Sequence, residues 1–181
     1  MSDVTPDSIM SFWREAGPEK WFAKDDDFDL TIRSRFLPAH EAAARGELAA
    51  FGQSAEGALA LVILLDQFPR NIFRGSAHAF ATDPLARAVA RQALANGFAQ
   101  ATDGLMRPLF YLPFMHSESL ADQDLSLRLH EAFGDPEILR YAEEHRDIIK
   151  RFGRFPHRNR ALGRDTTPAE LEFLQGGGFA G

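Results

Sequence analysis

The sequence predicts an all-α protein in which several helices pack around one central apolar helix. Three observations carry this prediction. Proline follows a helix N-cap residue at four places, glycine ends five helical stretches, and alternating apolar and polar runs between hairpin turns are absent. Proline suits the first helical turn because its φ is already helical and its missing N–H would have no partner there.

The start signals set the helix boundaries in order along the chain. They are Thr5-Pro6, Asp83-Pro84, Asp135-Pro136 and Thr167-Pro168. Together with the glycine stops they predict helices over residues 6–16, 18–23, 27–45, 55–68, 84–96, 119–133, 136–152 and 168–175. Pro38 is expected to kink or divide the third helix, and short turns are expected at 70–74 and 107–114.

Helix 55–68 has no polar side chain between Ala58 and Leu65. A helix without a polar face has to be enclosed by others, so Leu61 to Leu65 are expected to be almost inaccessible to solvent. Helix 136–152 instead carries one apolar stripe, formed by Ile138, Tyr141, His145, Ile148 and Phe152. His145 is therefore expected to be a hydrogen-bonded core residue.

Length and composition indicate a protein that folds independently. With 181 residues, of which 45% are hydrophobic, the chain can bury a core of its own. We expect one helical domain over residues 1–175 and a flexible tail over 176–181, where three glycines in succession are costly to order. The chain has no cysteine, which excludes disulfides, thiolate catalysis and Cys-based zinc sites.

Other features bear on location and partners. The first residues lack a secretory signal and no run reaches the length of a membrane span, so we expect a cytoplasmic protein with no membrane partner. The net charge of −6 disfavours nucleic-acid binding. Residues 150–164 nevertheless hold six basic and no acidic residues. This stretch is expected to bind an anion, to pair with the acidic segment 1–29 or to face solvent.

Three segments place polar groups at the ends of apolar helices. Two of them put Arg and Asn just after a Phe-Pro step, and the third puts a histidine and a carboxylate beside an apolar turn. We expect the three to converge on one pocket. The candidate ligand-binding residues are Asp66, Arg70, Asn71, Arg74, His116, Glu118, Arg154, His157, Arg158 and Asn159.

Structural roles are alternatives for the same residues. Asp66 and Arg70 could form a buried pair that fixes the helix end, and Asn71 could cap the turn that follows. His116 could be hydrogen-bonded to a helix end. One histidine and one carboxylate two positions apart do not make a metal motif, so no metal is expected. No cofactor can be assigned, because dinucleotide, P-loop and serine-hydrolase motifs are absent.

Three stretches carry a resemblance to a known family. They are LeuLeuAspGlnPheProArgAsnIlePheArgGly, PheTyrLeuProPheMetHisSerGluSer and PheGlyArgPheProHisArgAsnArgAlaLeuGlyArg, in that order along the chain, with TrpPhe at 21–22 before them. They resemble the hallmark segments of the bacterial domain of unknown function 924 family. The resemblance covers residues 21–174 and implies a tetratricopeptide-like helical fold. It implies no activity, because the family has none established.

Two functions are compatible with these observations. The first is the binding of a small anionic molecule, with the four arginines as charge partners and His116 and His157 as hydrogen-bond donors. If the site is catalytic, one of these histidines would carry the proton and Glu118 would orient it. The second is a helical scaffold for a protein or peptide partner, with Trp13, Trp21 and Phe22 as its binding surface and a purely structural polar network.

Overall fold

The computed structural model describes residues 4–179, and all regular secondary structure in this range is helical. The predicted all-α class is confirmed. The α-helices are α1 (Pro6–Ala16), α2 (Pro18–Trp21), α3 (Asp26–Ala44), α4 (Ala55–Val62), α5 (Phe68–Ile72), α6 (Asp83–Ala95), α7 (Phe98–Ala101), α8 (Leu112–Met115), α9 (Leu120–Phe133), α10 (Pro136–Phe152) and α11 (Pro168–Gln175). Short 3₁₀ helices lie at Ala49–Gln53, Ala77–Phe80, Arg107–Phe110 and Pro156–Arg158, and a π-helix at Ile63–Gln67.

The proline start signals work as predicted at three of the four sites. The N-cap side chains of Thr5, Asp135 and Thr167 accept hydrogen bonds from the first turns of α1, α10 and α11. At the fourth site the helix begins one residue earlier, with Thr82 as N-cap. Pro38 does not divide α3, which continues to Ala44. The segments expected to be turns at 70–74 and 107–114 contain helical turns.

The described residues fall into two compact units. The first, called the N-unit, comprises 4–74 and 78–113, and the second, the C-unit, comprises 75–77 and 114–179. The expectation of a single domain over residues 1–175 stays a prediction. Within residues 4–179, no helix combines the length and the apolar character that a membrane span requires.

The N-unit encloses its most apolar segment. Leu61 is 5% exposed, Leu65 is 2% exposed and the three residues between them are fully buried. Helices α1 and α6 pack against α4, and α3 packs against α5 and the π-helix. The predicted burial of Leu61 to Leu65 is therefore confirmed. The tetratricopeptide-like arrangement stays a prediction.

A continuous helical run passes through Pro69, and side chains replace the backbone hydrogen bonds that the proline removes. Pro69 has no N–H for the carbonyl of Leu65 four residues earlier. Thr82 Oγ1 donates to that carbonyl at 2.6 Å, and His40 Nδ1 donates to the neighbouring Leu64 carbonyl at 2.8 Å. The π-helix before Pro69 is thus stabilised by tertiary contacts within the N-unit.

In the C-unit, α9 and α10 pack against each other, and α9 buries polar side chains. α9 buries Asp122, Gln123, Ser126 and His130, while Leu120 is 43% exposed. α10 buries Ala142, His145, Ile148 and Ile149. The predicted stripe is correct for His145 and Ile148, but Tyr141 is 42% exposed. The C-unit therefore contains a polar interior.

Candidate functional site

Arg70 is the centre of a charged cluster in the N-unit. Its Nη1 and Nη2 donate to the two carboxylate oxygens of Asp83 at 2.9 and 3.1 Å, and Nη1 lies 3.2 Å from Asp66 Oδ1. Burial alone would lower the pKa of Arg70, but Asp66 and Asp83 outweigh it and raise that pKa. Asp66 and Asp83 thus share one guanidinium. The Asp66–Arg70 pair is the structural alternative that the sequence suggested.

Asp29 binds the other two candidate residues of the N-unit. Arg74 Nε and Nη2 donate to its two carboxylate oxygens at 2.8 and 3.0 Å, and these hydrogen bonds raise the pKa of Arg74. Asn71 Nδ2 donates to Asp29 Oδ1 at 2.7 Å instead of capping the following turn. A ligand at Arg70, Asn71 or Arg74 would have to compete with these carboxylates. Their role in ligand binding stays a prediction.

Five residues of the C-unit form a second charged network, which we call the C-terminal clasp. They are Glu118, Arg154, Asn159, Arg164 and Glu170. Arg164 donates two hydrogen bonds to Glu118, at 2.8 and 3.0 Å, and the Phe155 N–H donates a third at 2.8 Å. Burial alone would raise the pKa of Glu118, but these donors lower it.

Glu170 is the other carboxylate of the clasp. Arg154 Nε and Nη2 donate to its oxygens at 2.6 and 2.9 Å, and Asn159 Nδ2 donates at 3.3 Å. The Thr167 N–H adds a bond at 2.8 Å that closes the capping box of α11. Glu118, Arg154 and Asn159 therefore have structural partners within the C-unit.

We expect Glu170 to make stability depend on acid pH. The Arg154 hydrogen bonds lower the pKa of Glu170 to about 2, below its usual value of 4.5. Its contribution to the free energy of unfolding is therefore complete above pH 4.5 and is lost as pH falls towards 2. Urea unfolding at several pH values should show this loss in wild type and a flatter profile in Glu170→Gln. Equal slopes for the two proteins between pH 4.5 and 2.5 would contradict the assignment.

Four histidines of the C-unit form an imidazole cluster: His116, His130, His145 and His157. The rings of His116 and His145 lie 6.4 Å apart between centroids. His130 and His157 are close enough to interact electrostatically with His145. Four of the six histidines in the chain are thus gathered, although the sequence separates them by 12 to 41 positions.

Two imidazoles of the cluster have a defined tautomer. The Nδ1 of His145 donates to the Tyr141 carbonyl at 2.8 Å, and the Nδ1 of His130 donates to the Ser126 carbonyl at the same distance. In the neutral ring, the Nε2 atom therefore carries the lone pair and acts as an acceptor. The Nδ1 atom of His157 is buried and has no hydrogen-bond partner among residues 4–179. The cluster therefore offers unused hydrogen-bonding capacity at His157.

Arg158 places a positive charge next to this cluster. Its side chain is only 6% exposed, and its guanidinium carbon lies 4.5 Å above the centre of the Phe155 ring. The pKa of His145 is lowered to about 4 and that of His157 to about 3, with burial as the largest cause and the charge of Arg158 as a further one. His145 and His157 are therefore neutral at pH 7, and the positive potential of Arg158 disfavours their protonation.

The candidate residues of the C-unit belong to two neighbouring sets. His116 and His157 lie in the imidazole cluster and Arg158 lies beside it. Glu118, Arg154 and Asn159 lie in the clasp. The predicted meeting of segments 116–118 and 154–159 is observed within this unit through the bond between Glu118 and the Phe155 N–H. Their convergence with residues 66–74 stays a prediction.

Sequence reasoning missed His130, Arg164 and Glu170. Arg164 and Glu170 had signals, because Arg164 ends the basic stretch and Glu170 lies three residues after Thr167, which is the spacing of a capping box. His130 had none, since its neighbours form an ordinary leucine-rich helix. The described residues contain no group of three or more His, Asp or Glu side chains placed to hold a metal ion.

The aromatic surface proposed for a scaffold is mostly interior. Trp13 is fully buried and Trp21 is 5% exposed, with its Nε1 donating to the Trp13 carbonyl at 2.6 Å. Their rings stack with centroids 5.5 Å apart. Only Phe22, at 65% exposure, faces solvent. The expectation that both tryptophans lie on a binding surface is therefore wrong.

The comparisons with known proteins agree with the fold and leave the activity open. Residues 9–178 match the model of a family described as bacterial protein of unknown function (DUF924). The chain belongs to this family. It is also similar to the solved structure of a protein of unknown function from Agrobacterium tumefaciens, with 52% identity and a TM-score of 0.92 over 94% of this chain and 97% of that one. No curated protein matches the chain.

Proposed function

We propose that this DUF924 protein binds a small anion at the imidazole cluster of the C-unit, with Arg158 as its charge partner. The observation that carries the proposal is a buried guanidinium next to imidazoles, one of which has a buried Nδ1 without a hydrogen-bond partner among the described residues. Arginine and imidazole groups are the usual partners of carboxylate, sulfate and phosphate. The proposal restricts the anion site expected from the sequence to the imidazole cluster and Arg158.

The hydrogen-bond networks support this choice of location. Arg70, Arg74 and Arg154 each donate two hydrogen bonds to one carboxylate, so an anion would have to displace that carboxylate. Arg158 lies against the Phe155 ring, lowers the pKa of Glu118 and raises the electrostatic potential at His145 and His157. A positive potential among neutral groups favours a negative ligand.

Anion binding is expected to be coupled to proton uptake. In the neutral tautomer His145 Nε2 is an acceptor, so an anion that approaches it gains a hydrogen bond only when the ring is protonated. The bound anion stabilises the imidazolium and raises the histidine pKa from about 4. By linkage, affinity increases as pH falls from neutral towards that value, by roughly tenfold per unit for one proton taken up.

Sulfate is a suitable probe because its charge stays constant between pH 5 and 8. Isothermal titration calorimetry at several pH values in this range should show tighter binding at the acid end. Arg158→Gln should weaken binding by about tenfold or more, since one charge-assisted hydrogen bond is lost. The matched control is Arg160→Gln, because Arg160 lies two residues further along the same segment and is exposed; it should bind as wild type does.

A scaffold role predicts a different result from the same proteins. If the cluster were purely structural, Arg158→Gln would lower the melting temperature, and sulfate would raise it in neither protein. His157→Gln provides a second test, because its side chain is partly exposed and the substitution is milder. Sulfate affinity that is independent of pH and unchanged in both variants would contradict the proposed function.

A further inference from the structure

We infer that the ligand carries an aromatic ring beside its anionic group, and that Phe179 holds the place of this ring until the ligand displaces it. The inference rests on the anion site proposed above and adds the chemical class of the ligand. It is carried by the position of Phe179 and by the way in which the chain delivers it.

Two phenylalanine rings contact the same pair of imidazoles. The Phe155 centroid lies 5.5 Å from those of both His145 and His157. The Phe179 centroid lies 4.5 Å from that of His145 and 5.2 Å from that of His157. Phe155 is fully buried and forms a fixed wall, whereas Phe179 is only partly buried. The imidazoles thus have one permanent aromatic neighbour and one at the solvent side.

The end of α11 aims Phe179 at the imidazoles. Gly177 has a φ of +82°, and the Gly178 N–H donates to the Phe173 carbonyl at 2.9 Å. This is a Schellman motif, which needs glycine at the left-handed position. A Cβ on Gly178 would lie 2.6 Å from the Phe173 ring and carbonyl, so a side chain does not fit there either. The glycines thus give the backbone of residues 176–178 a defined course.

A flexible tail is expected from the sequence over residues 176–181, and the structure describes residues 176–179 of it. Residues 180 and 181 lie outside the described part of the chain. Residues 176–178 form the Schellman turn, and Phe179 also packs against the apolar cluster of Ile148, Ile149 and Phe155. The Phe179 ring is held by the glycine turn and by its own packing. It can move away without disrupting a helix, because α11 already ends at Gln175. Phe179 therefore covers the imidazoles in a way that allows a ligand to displace its ring.

Ring exchange explains why the ligand should be aromatic. Inorganic anions can use Arg158 and the imidazole nitrogens while Phe179 stays in place. An aromatic carboxylate or phosphate gains, in addition, the ring contacts with His145, His157 and Phe155 that Phe179 gives up. Displacement of Phe179 then exchanges one set of aromatic contacts for another of the same kind. Benzoate is the simplest molecule with both features, and acetate is its counterpart without the ring.

The test compares acetate, benzoate and cyclohexanecarboxylate as ligands of wild type and Phe179→Ala, by calorimetry at pH 5.5. Wild type should bind benzoate more tightly than acetate or cyclohexanecarboxylate. Phe179→Ala should bind benzoate roughly tenfold more tightly again, because the cover no longer has to leave. Its acetate affinity should change by less than about twofold. The control is Phe152→Ala, since the Phe152 ring belongs to the same apolar cluster but contacts Phe173.

The outcomes separate this inference from the proposed function. Equal affinity for acetate and benzoate, or weaker benzoate binding in Phe179→Ala, would overturn the aromatic ligand class while anion binding stands. Failure of sulfate, acetate and benzoate to bind either protein would overturn both. Phe179→Leu checks the role of the ring, because it keeps an apolar cover; benzoate should bind it with an affinity between those of wild type and Phe179→Ala.

Discussion

Leu64→Ala is expected to lower the free energy of unfolding by about 2–5 kcal/mol. Leu64 is fully buried in the π-helix, and its backbone carbonyl is already held by His40. Substitution removes buried methyl groups and leaves a cavity that tightly packed neighbours fill only in part. Urea unfolding of the purified variant measures the loss.

A matched control shows that the loss comes from burial. Leu30 is also a helical leucine of the N-unit but is 64% exposed, so Leu30→Ala should change the free energy of unfolding by no more than about 0.5 kcal/mol. A loss below about 1 kcal/mol for Leu64→Ala would mean that the neighbours repack. The segment around Leu64 would then not be the core of the N-unit.

Arg70→Ala should lower the free energy of unfolding by roughly 3–5 kcal/mol. The variant removes the guanidinium that Asp66 and Asp83 share, and both of these carboxylates are buried. Arg70 Nη1 also donates to the Asp66 carbonyl at 2.6 Å, so the helix end loses a further hydrogen bond. Thermal and urea unfolding with and without sulfate measure the effect. Sulfate should not change the size of the loss.

Arg74→Ala is the comparison for this prediction. Arg74 makes the same two-point contact with a carboxylate, but its side chain is 40% exposed. Water replaces much of an exposed ion pair, so the expected loss is about 1 kcal/mol or less. Equal losses for Arg70→Ala and Arg74→Ala would mean that burial does not decide the contribution of these pairs. The assignment of a structural role to Arg70 would then fail.

The helices were predictable because local signals decide them. Bounds such as 6–16, 136–152 and 168–175 follow from a capping residue with proline at the start of the helix and from glycine directly after its end. The π-helix was not predictable. It depends on His40 and Thr82, which lie far away in sequence and supply donors for carbonyls freed by Pro69. Such compensation is visible only after folding.

The candidate site was predictable in its residue types but not in its pairings. The sequence drew attention to Arg, Asn and His after the two Phe-Pro steps, and those of the second segment lie in the C-unit networks. The arginines pair with Asp29, Asp83 and Glu170. The sequence does not show these pairings, because the partners lie far apart along the chain. The gathering of four histidines was likewise hidden, because His130 lies on a buried polar face of α9.

The most direct measurement of the anion site is the nitrogen NMR spectrum of the histidine rings during a sulfate titration at pH 6. Without sulfate, His145 and His157 should show neutral rings, as their lowered pKa values require. Addition of sulfate should move His145 towards imidazolium shifts in wild type and in Arg160→Gln, but not in Arg158→Gln. A His145 ring that stays neutral in wild type at saturating sulfate would contradict proton-coupled anion binding at this cluster.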